Sequence, residues 1–210
     1  MKTPLLLALL FLLLPLAAVA GTAAPAPVEG EDYVLIDDGR PYRPLDGKIE
    51  VVEVFGYWCP HCAEFQPQLA AWVRRLPTDV RFSYVPAVFD DSDAFARGFF
   101  AAERAGAVAR THAGLYRAVH IDGLLARNAT IDELAWYYGQ QGLNAAQLKA
   151  DMVGPEVQAR MQAAREFALR SGVTGTPTLI VDGRYRITPR THADALRIAE
   201  QLIARLRRAR

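Results

Sequence analysis

Cysteine is nearly absent from this chain: there are two among 210 residues. So small a number excludes a disulfide-stapled mini-domain, and a chain of this length buries a sizeable core without staples. An excess of charge of one sign is lacking too. Lys and Arg number 24 against 23 Asp and Glu, a net charge of +1, with the two signs interspersed. That excludes a basic nucleic-acid-binding face, so no nucleic acid is expected as a partner, and it excludes a strongly acidic partner as well. Histidine is scarce, at four residues. No second Cys-x-x-Cys and no His-x-x-x-His accompany the cysteines, so no metal site is expected. Long apolar runs are missing except at the N-terminus. There Met1-Lys2-Thr3-Pro4 precedes the apolar stretch Leu5 to Leu16, and Ala18-Val19-Ala20 fits the small-x-small rule for signal cleavage. The run is short for a membrane span, which takes about 20 residues. Residues 1–20 are therefore read as a signal peptide cleaved near Ala20, with an uncleaved anchor as the alternative.

What is present is an ordinary globular balance, 51% apolar and 22% charged. Residues 21–30, rich in Ala, Pro and Gly, read as a flexible leader. Asp32 to Ile36 predicts a short edge strand. Ile49-Glu50-Val51-Val52-Glu53-Val54-Phe55 has the β-branched and aromatic composition of a buried strand. A helix is predicted from Pro60 to about Leu76, kinked at Pro67. Val80 to Val85 alternates and predicts a second strand. Strand, helix and strand in this order imply parallel pairing.

From about Asp91 the β signals vanish. Helices are expected at Ser92–Ala105, Thr111–Val119, Ile131–Gln140, Ala145–Met152 and Pro155–Ser171. Thr130 and Glu133 form a plausible capping box, and Pro155 suits a helix start. Strands return at Thr178–Val181 and Tyr185–Ile187 around the turn Asp182-Gly183. A last helix spans about Thr191 to Arg208, and its basic end complements the helix dipole. The fold class expected is α/β: one domain over 31–90 and 165–210, with an all-helical insertion over 91–164.

Chemistry concentrates in Phe55-Gly56-Tyr57-Trp58-Cys59-Pro60-His61-Cys62. A strand ends and a helix begins at the cysteines. Pro60 suits the first helical position, which makes Cys59 the N-cap and Cys62 the third helical residue. A thiolate at the N-cap accepts the free N–H groups of His61 and Cys62 and sits at the positive end of the helix dipole. Both effects lower the Cys59 pKa, and Cys62, one turn in, is the more buried, resolving thiol. Cys59 itself is expected to be exposed. Two alternatives are an inert structural disulfide, whose loop is too small to staple a domain, and half a zinc site. His61, between the cysteines, is read as part of the redox centre: a cationic imidazole beside Cys59 stabilises the thiolate and sets the oxidising power, with a merely solvated helix residue as the alternative.

Cys59-Pro60-His61-Cys62, after an aromatic-rich strand end in an exported chain, resembles the DsbA family of periplasmic disulfide oxidases. The likeness extends over nearly the whole mature chain and includes Val173-Thr174-Gly175-Thr176-Pro177-Thr178. The resemblance implies a thioredoxin fold in which a cis-proline loop, Thr176-Pro177, faces the cysteines and binds substrate. It implies that Glu53, otherwise readable as part of an exposed strand face, is a buried acid that relays protons beneath the disulfide. It implies reduced exported polypeptides as substrates, a DsbB-like quinone-linked membrane protein as re-oxidant, no cofactor, and a location in the Gram-negative periplasm. Thr176 stands where some members have Val, which bears on substrate range and redox poise. An isomerase or reductase on the same fold is the competing enzyme reading. The short leader leaves no room for an N-terminal dimerisation domain, so a monomeric oxidase is expected. A non-catalytic peptide-binding module is disfavoured by the intact cysteine pair.

Overall fold

The computed structural model of the chain describes residues 25–210. The expected signal peptide, its cleavage site and the first part of the leader lie outside the described residues. Among the described residues no helix is long and apolar enough to cross a membrane.

The central strand β2, Ile49–Phe55, is buried along its whole length. It pairs in parallel with β3, Val80–Pro86, after the crossover helix α1, Pro60–Val73. On its other side it pairs antiparallel with β4, Thr178–Val181, which continues into β5, Tyr185–Ile187. The short strand β1, Tyr33–Leu35, closes the edge, giving the order β1-β5-β4-β2-β3. Asp182 and Gly183, between β4 and β5, both take positive φ, 55° and 65°. Gly and Asp tolerate that region, which is why this dipeptide reads as a reversal in sequence.

Because a strand alternates faces, β2 feeds two cores. Val52 and Val54 join Phe167 and Ala168 of α6, Pro155–Arg170, in one cluster. Ile49 and Val51 join Leu69 and Trp72 of α1, and Ile198 and Leu202 of α7, His192–Arg208, in the other. Glu53 shares the parity of Ile49 and Val51 and so faces α1. Between β3 and β4 run five consecutive helices: α2, Ala94–Arg104; α3, Val108–His120; α4, Ile131–Gln140; α5, Ala145–Met152; and α6. The thioredoxin-type sheet with an all-helical insertion is the architecture expected.

Boundaries differ from expectation by one to three residues, for local reasons. The capping box at Thr130 forms in full, so the start of α4 agrees. Helix α3 begins at Val108, ahead of the expected Thr111, because its N-cap, Ala107, makes no side-chain cap and leaves no mark in the sequence. Helix α1 ends at Val73 instead of Leu76; Arg75 and Leu76 continue it only through tighter N–H bonds to Trp72 and Val73.

Candidate functional site

The end of β2 delivers the chain to α1 through a turn, Gly56 to Cys59, closed by the Cys59 N–H on the Gly56 carbonyl at 3.1 Å. Gly56 is required there: a β-carbon would come within 2.7 Å of the Trp58 indole. Cys59 is the N-cap of α1 with extended backbone, φ −83° and ψ 118°, and Pro60 opens the helix. The two cysteines are free thiols in this structure.

Cys59 is only 4% exposed, which corrects the expectation of an open thiol. The cause is the loop opposite. The Cys59 Sγ lies 3.3 Å from the Thr176 carbonyl oxygen, to which the thiol donates, and the Thr176–Pro177 peptide bond is cis. The Cys59 pKa is lowered to about 5. A hydrogen bond from the Cys62 thiol contributes most, against the opposing effect of burial, and the Thr176 side chain and the N–H groups of Cys62 and His61 add to it. Cys62 is fully buried, and its pKa is raised, first by desolvation and then by its bond to Cys59. One thiol is thus set to ionise and the other to stay protonated, the direction expected from the helix terminus, although the Cys62 thiol contributes more than the helix N–H groups.

His61 is placed differently from its neighbours. Its side chain is 71% exposed, and its Nδ1 lies 3.6 Å from the Glu64 carboxylate, one helical turn on. The part of His61 that supports the Cys59 thiolate is its backbone N–H.

Two buried acids occupy β2, with opposite treatment. Glu50 accepts from the Tyr42 and Arg43 N–H groups at 2.6 and 3.1 Å and from the Arg81 guanidinium at 2.9 Å. Glu53 is equally buried and neither of its oxygens has a hydrogen-bond partner. Burial without a partner penalises the carboxylate, so the Glu53 pKa rises to about 8, helped secondarily by the Cys59 charge. Cys62, whose own pKa Glu53 raises, lies close enough to feel its charge. Among the described residues no group of His, Cys, Asp and Glu is arranged to hold a metal ion.

A thioredoxin family model matches residues 45–201 of the chain. The chain is 34% identical over 200 residues to the thiol:disulfide interchange protein DsbA of Pseudomonas syringae pv. tomato, covering 92% of both proteins. It is 32% identical over 202 residues to that of Azotobacter vinelandii, covering 94% of this chain and 93% of that one. The crystal structure of the Xylella fastidiosa oxidoreductase DsbA superimposes with a TM-score of 0.85 at 48% identity, covering 88% of this chain and 100% of that chain. This chain belongs to the DsbA family.

The cysteine pair, the Thr176-Pro177 loop and Glu53 come together within one junction of β2, α1 and β4. Other residues gather at that junction that the sequence analysis does not single out. Asp93, the N-cap of α2, accepts both the Ala96 N–H at 3.0 Å and the Trp58 indole N–H at 3.1 Å. Tyr57 meets His112 and His120 of α3. The spacing His112-x-x-x-Tyr116-x-x-x-His120 was the available signal, since residues four apart share one helix face. That spacing marks a shared face but not its partner, since Tyr57 is 55 and 63 positions away from the two histidines.

Proposed function

We propose that this DsbA-family protein oxidises cysteine pairs in exported polypeptides, working in the periplasm. It is a protein thiol–disulfide oxidoreductase, and Cys59 and Cys62 carry the exchange. The observation that supports the direction is the asymmetry of the pair: Cys59 is lowered to about 5 while Cys62 is raised. A stabilised thiolate favours the reduced protein, so the disulfide form is an oxidant.

The steps balance as follows. A substrate thiolate attacks the Cys59 sulfur of the Cys59–Cys62 disulfide, forming a mixed disulfide and expelling Cys62 as a thiolate. Protonated Glu53, buried beneath, gives Cys62 its proton. A second substrate thiolate attacks the substrate sulfur of the mixed disulfide and expels Cys59, which leaves readily because its thiolate is stabilised. The substrate loses two electrons and becomes a disulfide; the enzyme is left reduced, with Cys59 a thiolate and Cys62 a thiol, and Glu53 regains its proton from solvent. A quinone-linked membrane protein of the DsbB kind restores the disulfide.

Thr176 and Pro177 serve as the substrate-binding edge. They line a groove of ≈ 310 Å³ together with His61, Phe65 and Leu179. An extended substrate strand beside Thr176 would bring its cysteine to Cys59 by strand addition. Pro60 holds the first helical position and leaves the Cys59 thiolate the N–H groups of His61 and Cys62. His61 assists through its backbone, its imidazole facing solvent and Glu64.

Covalent trapping tests the assignment. Cys62→Ser should accumulate mixed disulfides with exported proteins through Cys59, and Cys59→Ser should accumulate few. Equal trapping by the two variants sinks it. Measuring dithiol oxidation beside insulin reduction then fixes the direction, with oxidation expected to dominate.

A further inference from the structure

Tyr57 is held at both ends by the helical insertion, and the exchange chemistry makes no use of this. It stands two residues before Cys59, inside the turn that the Cys59 N–H closes on Gly56. Its own carbonyl is left over by that turn and lies 2.7 Å from Nε2 of His120. A carbonyl only accepts, so His120 carries a hydrogen on Nε2 and donates it. The Tyr57 hydroxyl lies 2.7 Å from Nδ1 of His112. His112 is 3% exposed, and burial lowers its pKa to about 3, so the imidazole is neutral in the folded protein. Tyr57 is itself 2% exposed. Both histidines project from one face of α3, two turns apart, with the Tyr116 ring between them and 5.0 Å from the Tyr57 ring.

We propose that His120 and His112 are positioning residues of the redox centre: the insertion grips Tyr57 by its carbonyl and its hydroxyl and so sets the turn that presents Cys59. The Cys59 thiolate depends first on the Cys62 thiol, then on Thr176 across the gap and on the N–H groups of the first helical turn. Those partners belong to α1 and to the β4 side, and the sulfur reaches them only if the turn before it is held at the right tilt. Helix α3 packs on α1 and supplies that hold from outside the thioredoxin core. A bond to a backbone carbonyl is suited to the task because it fixes the peptide plane itself, whatever rotamer the side chains adopt. The inference rests on Cys59 being the activated thiol, and the trapping experiment above tests that separately.

Three substitutions decide the matter, each read by thiolate absorbance titration of Cys59, by the equilibrium with glutathione, and by thermal unfolding. His120→Leu removes the donor. It should lower the Cys59 acid constant by about three- to tenfold, toward the thiol, and shift the glutathione equilibrium by the same factor toward the disulfide form. His120→Gln keeps an N–H at a similar reach without an ionisable ring, and should titrate within about twofold of the parent, since the hold is a hydrogen bond and not a charge. Tyr57→Phe removes only the hydroxyl and should move the Cys59 titration in the same direction as His120→Leu. If His120→Leu does not fold, His120→Asn, whose amide is too short to reach the carbonyl, takes its place with the same expected shift. An unchanged Cys59 titration in the donor-less protein, whatever its thermal stability, overturns the proposal. A Gln variant that behaves like the Leu variant overturns it too, and an unchanged Tyr57→Phe overturns the part given to His112.

Discussion

At the residue scale, the contrast between Glu50 and Glu53 carries the most chemical information. Both are buried acids of one strand, but only Glu53 is left without a hydrogen-bond partner. A carboxyl with a pKa of about 8 is mostly protonated at pH 7, which makes it a donor waiting for the Cys62 thiolate. Glu53→Gln should therefore slow the attack of a substrate thiol on the oxidised enzyme, by roughly 100-fold at pH 7, and by less at alkaline pH where Glu53 would itself be ionised. Stopped-flow fluorescence across pH measures this. Equal slowing at pH 7 and pH 9 would mean that Glu53 acts by packing and not by proton transfer. The carboxyl's role was legible only as an implication of family resemblance. Its burial agrees with the buried-strand composition of β2, but that α1 is what covers its face is a matter of packing that the strand's own sequence does not carry.

At the element scale, the junctions between secondary structures do the positioning. Helix α1 was readable because Pro60 and the cysteine spacing mark its first turn. Helix α4 was readable because Thr130 and Glu133 cap it reciprocally. Helix α2 starts at Ala94, two residues after the expected Ser92, and its N-cap Asp93 has a second task. That carboxylate caps the Ala96 N–H with one oxygen and takes the Trp58 indole N–H with the other. Asp93→Ala should cost about 1 kcal/mol from the lost cap, whereas Asp93→Asn, whose amide oxygen can still accept one N–H, should cost less. Urea unfolding of the two variants compares them; equal losses would show that the cap is not what Asp93 contributes. A pairing between residues 35 positions apart leaves no local periodicity, so the chain's pattern hides the indole contact.

At the scale of the whole molecule, two buried groups shape stability against pH in opposite senses. Glu53 has its pKa raised from 4.5 to about 8. Between those values the unfolded chain gives up a proton that the folded protein keeps, so stability falls as pH rises through that window. His112 has its pKa lowered from 6.5 to about 3. Between those values the unfolded chain binds a proton that the folded protein refuses, so stability falls as pH drops through that window. Each slope is roughly 1.4 kcal/mol per pH unit, and from pH 4.5 to 6.5 they nearly cancel. The oxidised protein, which has no Cys59 thiolate, should show a plateau there, with losses above pH 6.5 and below pH 4.5. Glu53→Gln should replace the plateau with a slope, stability rising by roughly 1.4 kcal/mol per unit from pH 3 to 6.5, and should be the more stable protein at pH 7. Chemical denaturation at a series of pH values reads both curves, and parallel curves for parent and variant would refute the assignment to Glu53.

The sequence by itself determined where the redox pair lies and which thiol leads. Cys59-Pro60-His61-Cys62 at a strand-to-helix step contains its own chemistry, because a helix start orients N–H groups wherever it occurs. It also determined the order of strands and helices, since apolar periodicity and turn residues act over a few neighbours. Only the tertiary structure decided what surrounds the pair. Thr176 lies 117 residues from Cys59, and its carbonyl covers the sulfur that the sequence suggested was exposed. His112 and His120, 55 and 63 residues from Tyr57, hold it from the insertion. The His61 ring, adjacent in sequence to the helix N-cap, turns out to face Glu64 and solvent. Side-chain direction, desolvation and long-range partners are properties of how elements are laid against one another, and those are what set the pKa values on which the chemistry depends.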